Sequence, residues 1–215
     1  MNTEELIQNV LNDVHSFHLE DIPNIDLYMD QVTTYLNNKF DSSKRYEDDK
    51  LLTKTMINNY AKSRLLPAPE KKKYTKDHMI VLALIFFFKN VISINDVTIL
   101  LKPLLDKHFH NEEEPLEDIV NMFLTHVKNS DMSEPILKEF KDSIEIFSAS
   151  DAEDKEYLQT LGLISMFSYD MFIRKMIIEK LIDSLPINKE KKEEQEKVNK
   201  KDSKKENSEK KKEAD

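Results

Sequence analysis

One glycine in 215 residues, Gly162, constrains this chain more than any other feature. Glycine enters tight turns and close backbone approaches at no steric cost, and most β architectures lean on it. Glycine-rich phosphate cradles and dinucleotide fingerprints each need several glycines, so both are absent. The expected fold is therefore mainly all-α. Zero cysteine removes disulfides, thiolate zinc sites and cysteine nucleophiles, and is compatible with the cytosol. The first residues, MNTEELIQNV, are acidic and show no basic-then-apolar leader, so no signal peptide is expected.

The formal net charge of −9 conceals a strong segregation. Residues 1–49 carry 3 basic and 11 acidic side chains, net −8, and residues 91–186 carry 9 and 19, net −10. Residues 50–90 carry 9 basic and 2 acidic, net +7, whereas 187–215 carry 11 and 9, net +2. Local charge decides attraction for a polyanion, and one segment alone offers it strongly. By charge alone, docking of that segment on the acidic remainder stands level with it.

Apolar spacing predicts a helix over 3–17, with Thr3 as cap, and a second from Pro23-Asn24 to about Phe40 along Ile25, Tyr28, Met29, Val32, Tyr35 and Leu36. Asp26 and Asp30 share a side of it, as first-turn acids that suit the helix dipole. Residues 41–50 read as a charged loop. Thr53 to about Arg64 reads as a short helix with Ile57, Tyr60, Ala61 and Leu65 inward and Thr55, Asn58, Asn59 and Lys62 outward. Asparagine can pair bidentately with adenine in the major groove, and lysine can reach phosphate or guanine. Pro67 and Pro69 end the helix, and Lys71, Lys72, Lys73 and Tyr74 follow on a short loop or two-stranded wing.

Thr75 caps the next helix. Met79 to Phe88 are ten consecutive apolar residues, too few for a bilayer and fit for the centre of a core. Ser93 caps a helix that Pro103 could kink. Helices follow from Pro115, from Ser133 and from about Asp151 to Leu185, the last apolar in its middle and interrupted by Asp170, Arg174 and Lys175. That helix suits a core position or pairing with a second chain. Residues 187–215 read as a disordered charged tail. His15 with His18, and His108 with His110 near Glu112–Glu114, fit metal sites poorly, so no metal is expected. No nucleophile–base set or cofactor loop stands out, so neither enzyme nor cofactor is expected.

The stretches IPNIDLYMDQVTTYL (Ile22–Leu36) and LTKTMINNYAKSRLLPAPEKKKYTKDHM (Leu52–Met79) resemble the uncharacterised bacterial family called domain of unknown function 1836. That family in turn resembles the MerR-like (mercury-resistance-regulator) DNA-binding group. Met56–Ala61 stands where that group has its recognition helix, followed by Leu65-Leu66-Pro67 and the basic Lys71–Tyr74. Asn58 and Asn59 stand where the group has arginine and tyrosine. The resemblance implies a bacterial cytoplasmic regulator that binds DNA as a dimer and no ligand in particular. The division expected is an N-terminal helix (1–20), a winged helix-turn-helix unit (21–110), a helical bundle region that dimerises or senses a signal (111–186) and the tail (187–215). The residues expected on DNA are Lys54, Thr55, Asn58, Asn59, Lys62, Arg64, Lys71, Lys72, Lys73 and Tyr74. An α-helical adaptor that binds an acidic protein is the alternative.

Overall fold

A computed structural model describes residues 3–14, 18–129, 133–146 and 154–186. Among them the chain is mainly helical: α1 (Thr3–Val14), β1 (Leu27–Tyr28), α2 (Met29–Lys39), α3 (Lys54–Lys62), β2 (Lys73–Tyr74), α4 (Lys76–Lys89), α5 (Ile94–His108), α6 (Leu116–Asn129), α7 (Ser133–Ile146) and α8 (Lys155–Ser184).

The core is built around α4. Its apolar run buries Met79, Ile80, Val81, Leu82, Ala83, Ile85 and Phe86, while Phe87 stays 40% exposed. An element apolar on nearly every side must be covered on every side. Here α2, β2, α5 and α6 pack around it. Phe40, at the end of α2, stacks on Phe86 with ring centroids 4.2 Å apart. Each fully buried large apolar side chain contributes about 1.5–3 kcal/mol. The far end of α8 joins this core through Ile182 and the partly buried Ile178. Its near end pairs with α7, which in turn meets α1. Ile7 and Leu163 are buried there, outside the main cluster.

Side-chain caps set the starts of α3 and α5. Thr53 accepts from the Met56 amide at 3.1 Å, and Ser93 accepts from the Asp96 amide at 3.2 Å. Pro103 lies inside α5 without dividing it.

The second helix starts later than apolar spacing predicts. Residues 23–28 are not helical, and Leu27 and Tyr28 pair antiparallel with Tyr74 and Lys73. The strand carries alternate faces: Leu27 is buried, whereas Tyr28 is 55% and neighbouring Ile25 66% exposed. The expected apolar stripe therefore begins at Met29. Asp26 consequently shares no helix with Asp30, and Asp30 forms an ion pair with Lys54. His15 and the tail lie outside the described residues, as do residues 15–17 of the first expected helix and 151–153 of the last.

Candidate nucleic-acid interface

The loop between α2 and α3 is long, yet α3 is held firmly. Asn37 on α2 donates to the Leu52 carbonyl at 2.8 Å and accepts from the Leu52 amide at 3.2 Å, one residue before the α3 cap. Lys89 donates to the Leu51 carbonyl at 2.8 Å from the end of α4. Leu52 itself is buried, and the Lys54–Asp30 pair ties the first turn of α3 to α2. Ile57 and Tyr60 face the core. Thr55, Asn58, Asn59 and Lys62 face solvent, as their spacing predicts, and neither Asn58 nor Asn59 has a side-chain partner among the described residues.

The end of α3 is sharply turned. Leu65 N–H bonds to the Tyr60 carbonyl at 3.0 Å and Arg64 N–H to the Ala61 carbonyl at 3.2 Å. This pair of bonds is the Schellman arrangement, which needs a left-handed residue at Arg64, and its φ is 61°. Leu65 and Leu66 then anchor the exit in the core.

The lysine run forms a hairpin. Glu70 and Lys73 bridge antiparallel, and the Lys73 amide donates to the Glu70 carbonyl at 2.8 Å. Between them Lys71 and Lys72 have φ of 49° and 63°. Positive φ at both central positions is the type I′ combination, usually filled by Asn-Gly. Lysine there costs about 1–2 kcal/mol per residue, because Cβ crowds the following carbonyl. Among the described residues, three of the four with positive φ, Arg64, Lys71 and Lys72, are thus basic residues of one short segment; the fourth is His110. Lys62, Arg64, Lys71 and Lys72 are exposed and make no ion pair among the described residues. Lys73 is half-buried on β2.

Tyr74 departs from its expected place on this surface. It is 3% exposed, and burial raises its phenol pKa above the ordinary value. The strand alternation turns Lys73 outward and Tyr74 into the core, so Tyr74 supports the hairpin from behind.

Behind the hairpin sits a histidine pair that sequence spacing left unmarked. His78 takes the third position of α4, and its Nδ1 accepts from the Thr75 amide at 3.1 Å. Thr75 Oγ1 lies 2.8 Å from that nitrogen and 2.9 Å from His110 Nε2. An amide donating to Nδ1 fixes the proton of the neutral ring on Nε2. The His110 amide donates to Asp77 at 2.7 Å, so the turn after α5 is fastened to the start of α4. His108 is engaged elsewhere, with Nδ1 3.0 Å from the Glu114 carbonyl. No group of acids and histidines among the described residues is placed to hold a metal ion.

Burial, then the charge of His110, lowers the His78 pKa to about 4, against the opposing pull of backbone groups of Ala68 and Pro67. In the unfolded chain it titrates at 6.5. A base with a depressed folded pKa is fully compatible with folding above 6.5, and its stability is lost as pH falls below that. Linkage then gives a loss of about 2 kcal/mol between pH 7.5 and pH 5. His78→Gln keeps an acceptor at this capping position and cannot titrate. Denaturant unfolding at the two pH values is expected to show a smaller acid loss in His78→Gln than in the parent; equal losses would remove His78 as the source.

The exposed polar face of α3 and a strained basic hairpin eight residues beyond it form the candidate surface of a mainly helical protein. The family described as Domain of unknown function (DUF1836) matches residues 17–142, more than half of the chain, and the protein belongs to that family. No curated protein and no solved structure matches it. The matched span holds α2, α3, both strands, α4, α5 and α6, and thus the whole candidate surface. Among the described residues no helix is long and apolar enough to cross a membrane.

Proposed function

We propose that this protein is a DNA-binding transcriptional regulator that places α3 in the major groove and the 70–73 hairpin on flanking phosphates. The likeness to the MerR-like group belongs to this proposal. The observation that carries it is the pair of left-handed lysines. Strain at a surface turn persists where something other than stability selects it, and two adjacent cations at a hairpin tip suit a phosphate backbone. The outward stripe of α3 supplies what a hairpin cannot: Asn58 and Asn59 can read base edges. Working as a homodimer, two copies set two such helices about 34 Å apart, one turn of DNA.

Asn58→Ala and Asn59→Ala are expected to change base preference by about 1–3 kcal/mol at the positions they read, with little change in binding to unrelated DNA. Competition binding against single-base variants of a selected site checks this. Uniform weakening at every variant would move both residues from reading bases to holding backbone.

The second reading, an α-helical adaptor, has in its favour the exposed Ile25 and Tyr28 beside the hairpin. Sequence preference separates the two: a DNA reader ranks one duplex sequence over another, whereas an adaptor that docks an acidic protein does not.

A further inference from the structure

The end of a short strand lies between the two halves of the proposed DNA surface. Lys54, in the first turn of α3, pairs with Asp30, in the first turn of α2. Two residues before Asp30, Tyr28 closes β1 opposite Lys73 of β2. A path from α3 to the hairpin therefore runs through Lys54, Asp30, Tyr28 and Lys73. Directly opposed residues of an antiparallel pair point to one face. Leu27 and Tyr74 take the buried face, and Tyr28 and Lys73 the outward one. One exposed ring is ordinary on a protein surface; this one is also fixed in place. The strand holds the residue, and its amide donates to Gln31 Oε1 at 2.8 Å, the returning half of a helix cap. A group fixed before binding loses less freedom on contact.

We infer that Tyr28 holds the DNA backbone between α3 and the hairpin, its hydroxyl donating to a phosphate oxygen and its ring lying against the adjoining deoxyribose. Tyrosine is among the side chains that make such contacts. Charge selects this occupant. Lys73 stands across the strand from Tyr28, Lys71 and Lys72 stand at the hairpin tip, and Lys54 neutralises Asp30. Ile25, also exposed, has different surroundings: it lines a small cleft with Asp26, Asp77 and His110. Carboxylates there repel phosphate, whereas an apolar protein partner would cover Ile25 and Tyr28 alike. The inference rests on the proposed DNA reading and adds to it a contact that carries no charge.

The absence of charge makes the contact separable by salt. Affinity for one duplex is measured across a salt series for the parent, Tyr28→Phe, Tyr28→Ala and Ile25→Ala, with helix content and urea midpoint checked for each. Tyr28→Ala is expected to weaken binding about tenfold at every salt concentration, and Tyr28→Phe, which keeps the ring and its packing, about threefold. The slope of log affinity against log salt is expected to stay that of the parent, because no counterion release is lost. Ile25→Ala is expected to bind as the parent does. Parent affinity in both Tyr28 variants, a changed slope, or an equal loss in Ile25→Ala overturns the inference and leaves the DNA reading standing. A parent that binds no duplex even at low salt overturns the DNA reading itself, and this inference falls with it.

Discussion

Replacing Lys71 and Lys72 together with glycine is expected to make the protein more stable and a weaker binder of DNA. Both lysines hold positive φ at a hairpin tip, 49° and 63°. Glycine removes the steric cost of that conformation, about 1–2 kcal/mol at each position. Its greater freedom in the unfolded chain returns roughly 0.4–1 kcal/mol per residue, so the pair should gain about 1 kcal/mol. Binding moves the other way. Loss of two phosphate contacts in each protomer should lower the slope of log affinity against log salt by about 2 per protomer, for every DNA sequence alike. Alanine at the same positions separates the terms: it loses the charges and keeps the strain, so binding should weaken without the gain in stability. Denaturant melts and salt titrations of the three proteins check both halves. A glycine variant that binds DNA as the parent does would take the hairpin out of the interface.

The second large effect lies in the core. Leu82→Ala is expected to cost about 3 kcal/mol, within the range of roughly 2–5 for deleting a fully buried leucine. Leu82 is 0% exposed, in the middle of α4, the helix that four other elements surround. Total stability of a domain is commonly about 5–15 kcal/mol, so this one truncation should remove a large share of it. Phe87→Ala, on the exposed side of the same helix, should cost clearly less despite removing more atoms. Urea midpoints of the two variants against the parent measure the difference. Equal losses would mean that α4 is covered on a different side, and a loss below about 1 kcal/mol at Leu82 would remove α4 from the centre of the core.

Those two regions also mark what is legible in this sequence and what is not. The α4 helix announces itself through ten apolar residues in a row after Thr75, and α3 and α5 through Thr53 and Ser93, because capping and periodicity are local signals. Strand β1 is not local. Leu27 and Tyr28 are extended because residues more than forty positions later pair with them, and in isolation their apolar character reads as a continuation of α2. The same pairing explains Tyr74. Proximity to three lysines suggests a shared surface, whereas period-two alternation from Lys73 sends the ring inward. That signal was present in the sequence, but it becomes decisive only once the segment is known to be a strand.

Other features depend on contacts that spacing does not encode. The Asn37 clamp on Leu52 spans 15 residues and orients α3. His78 acts at a helix start where glutamate or glutamine is the familiar partner of threonine, so the capping box passes unnoticed. The left-handed turns follow from a chain with one glycine to spend on its entire length, and that glycine lies inside α8. Arg64, Lys71, Lys72 and His110 occupy the positions that glycine would take elsewhere. Composition therefore signals that such turns, where they occur, carry strain. It does not say where.

On the proposed reading, α3 and the hairpin bind DNA with sequence preference. The most direct measurement is selection of the purified protein against a random-sequence duplex pool at two salt concentrations, followed by sequencing. Enrichment of a near-palindromic motif and a steep fall in retention at the higher salt are expected. Salt-sensitive retention without enrichment would reduce the surface to a backbone binder. No retention even at low salt would contradict the claim outright.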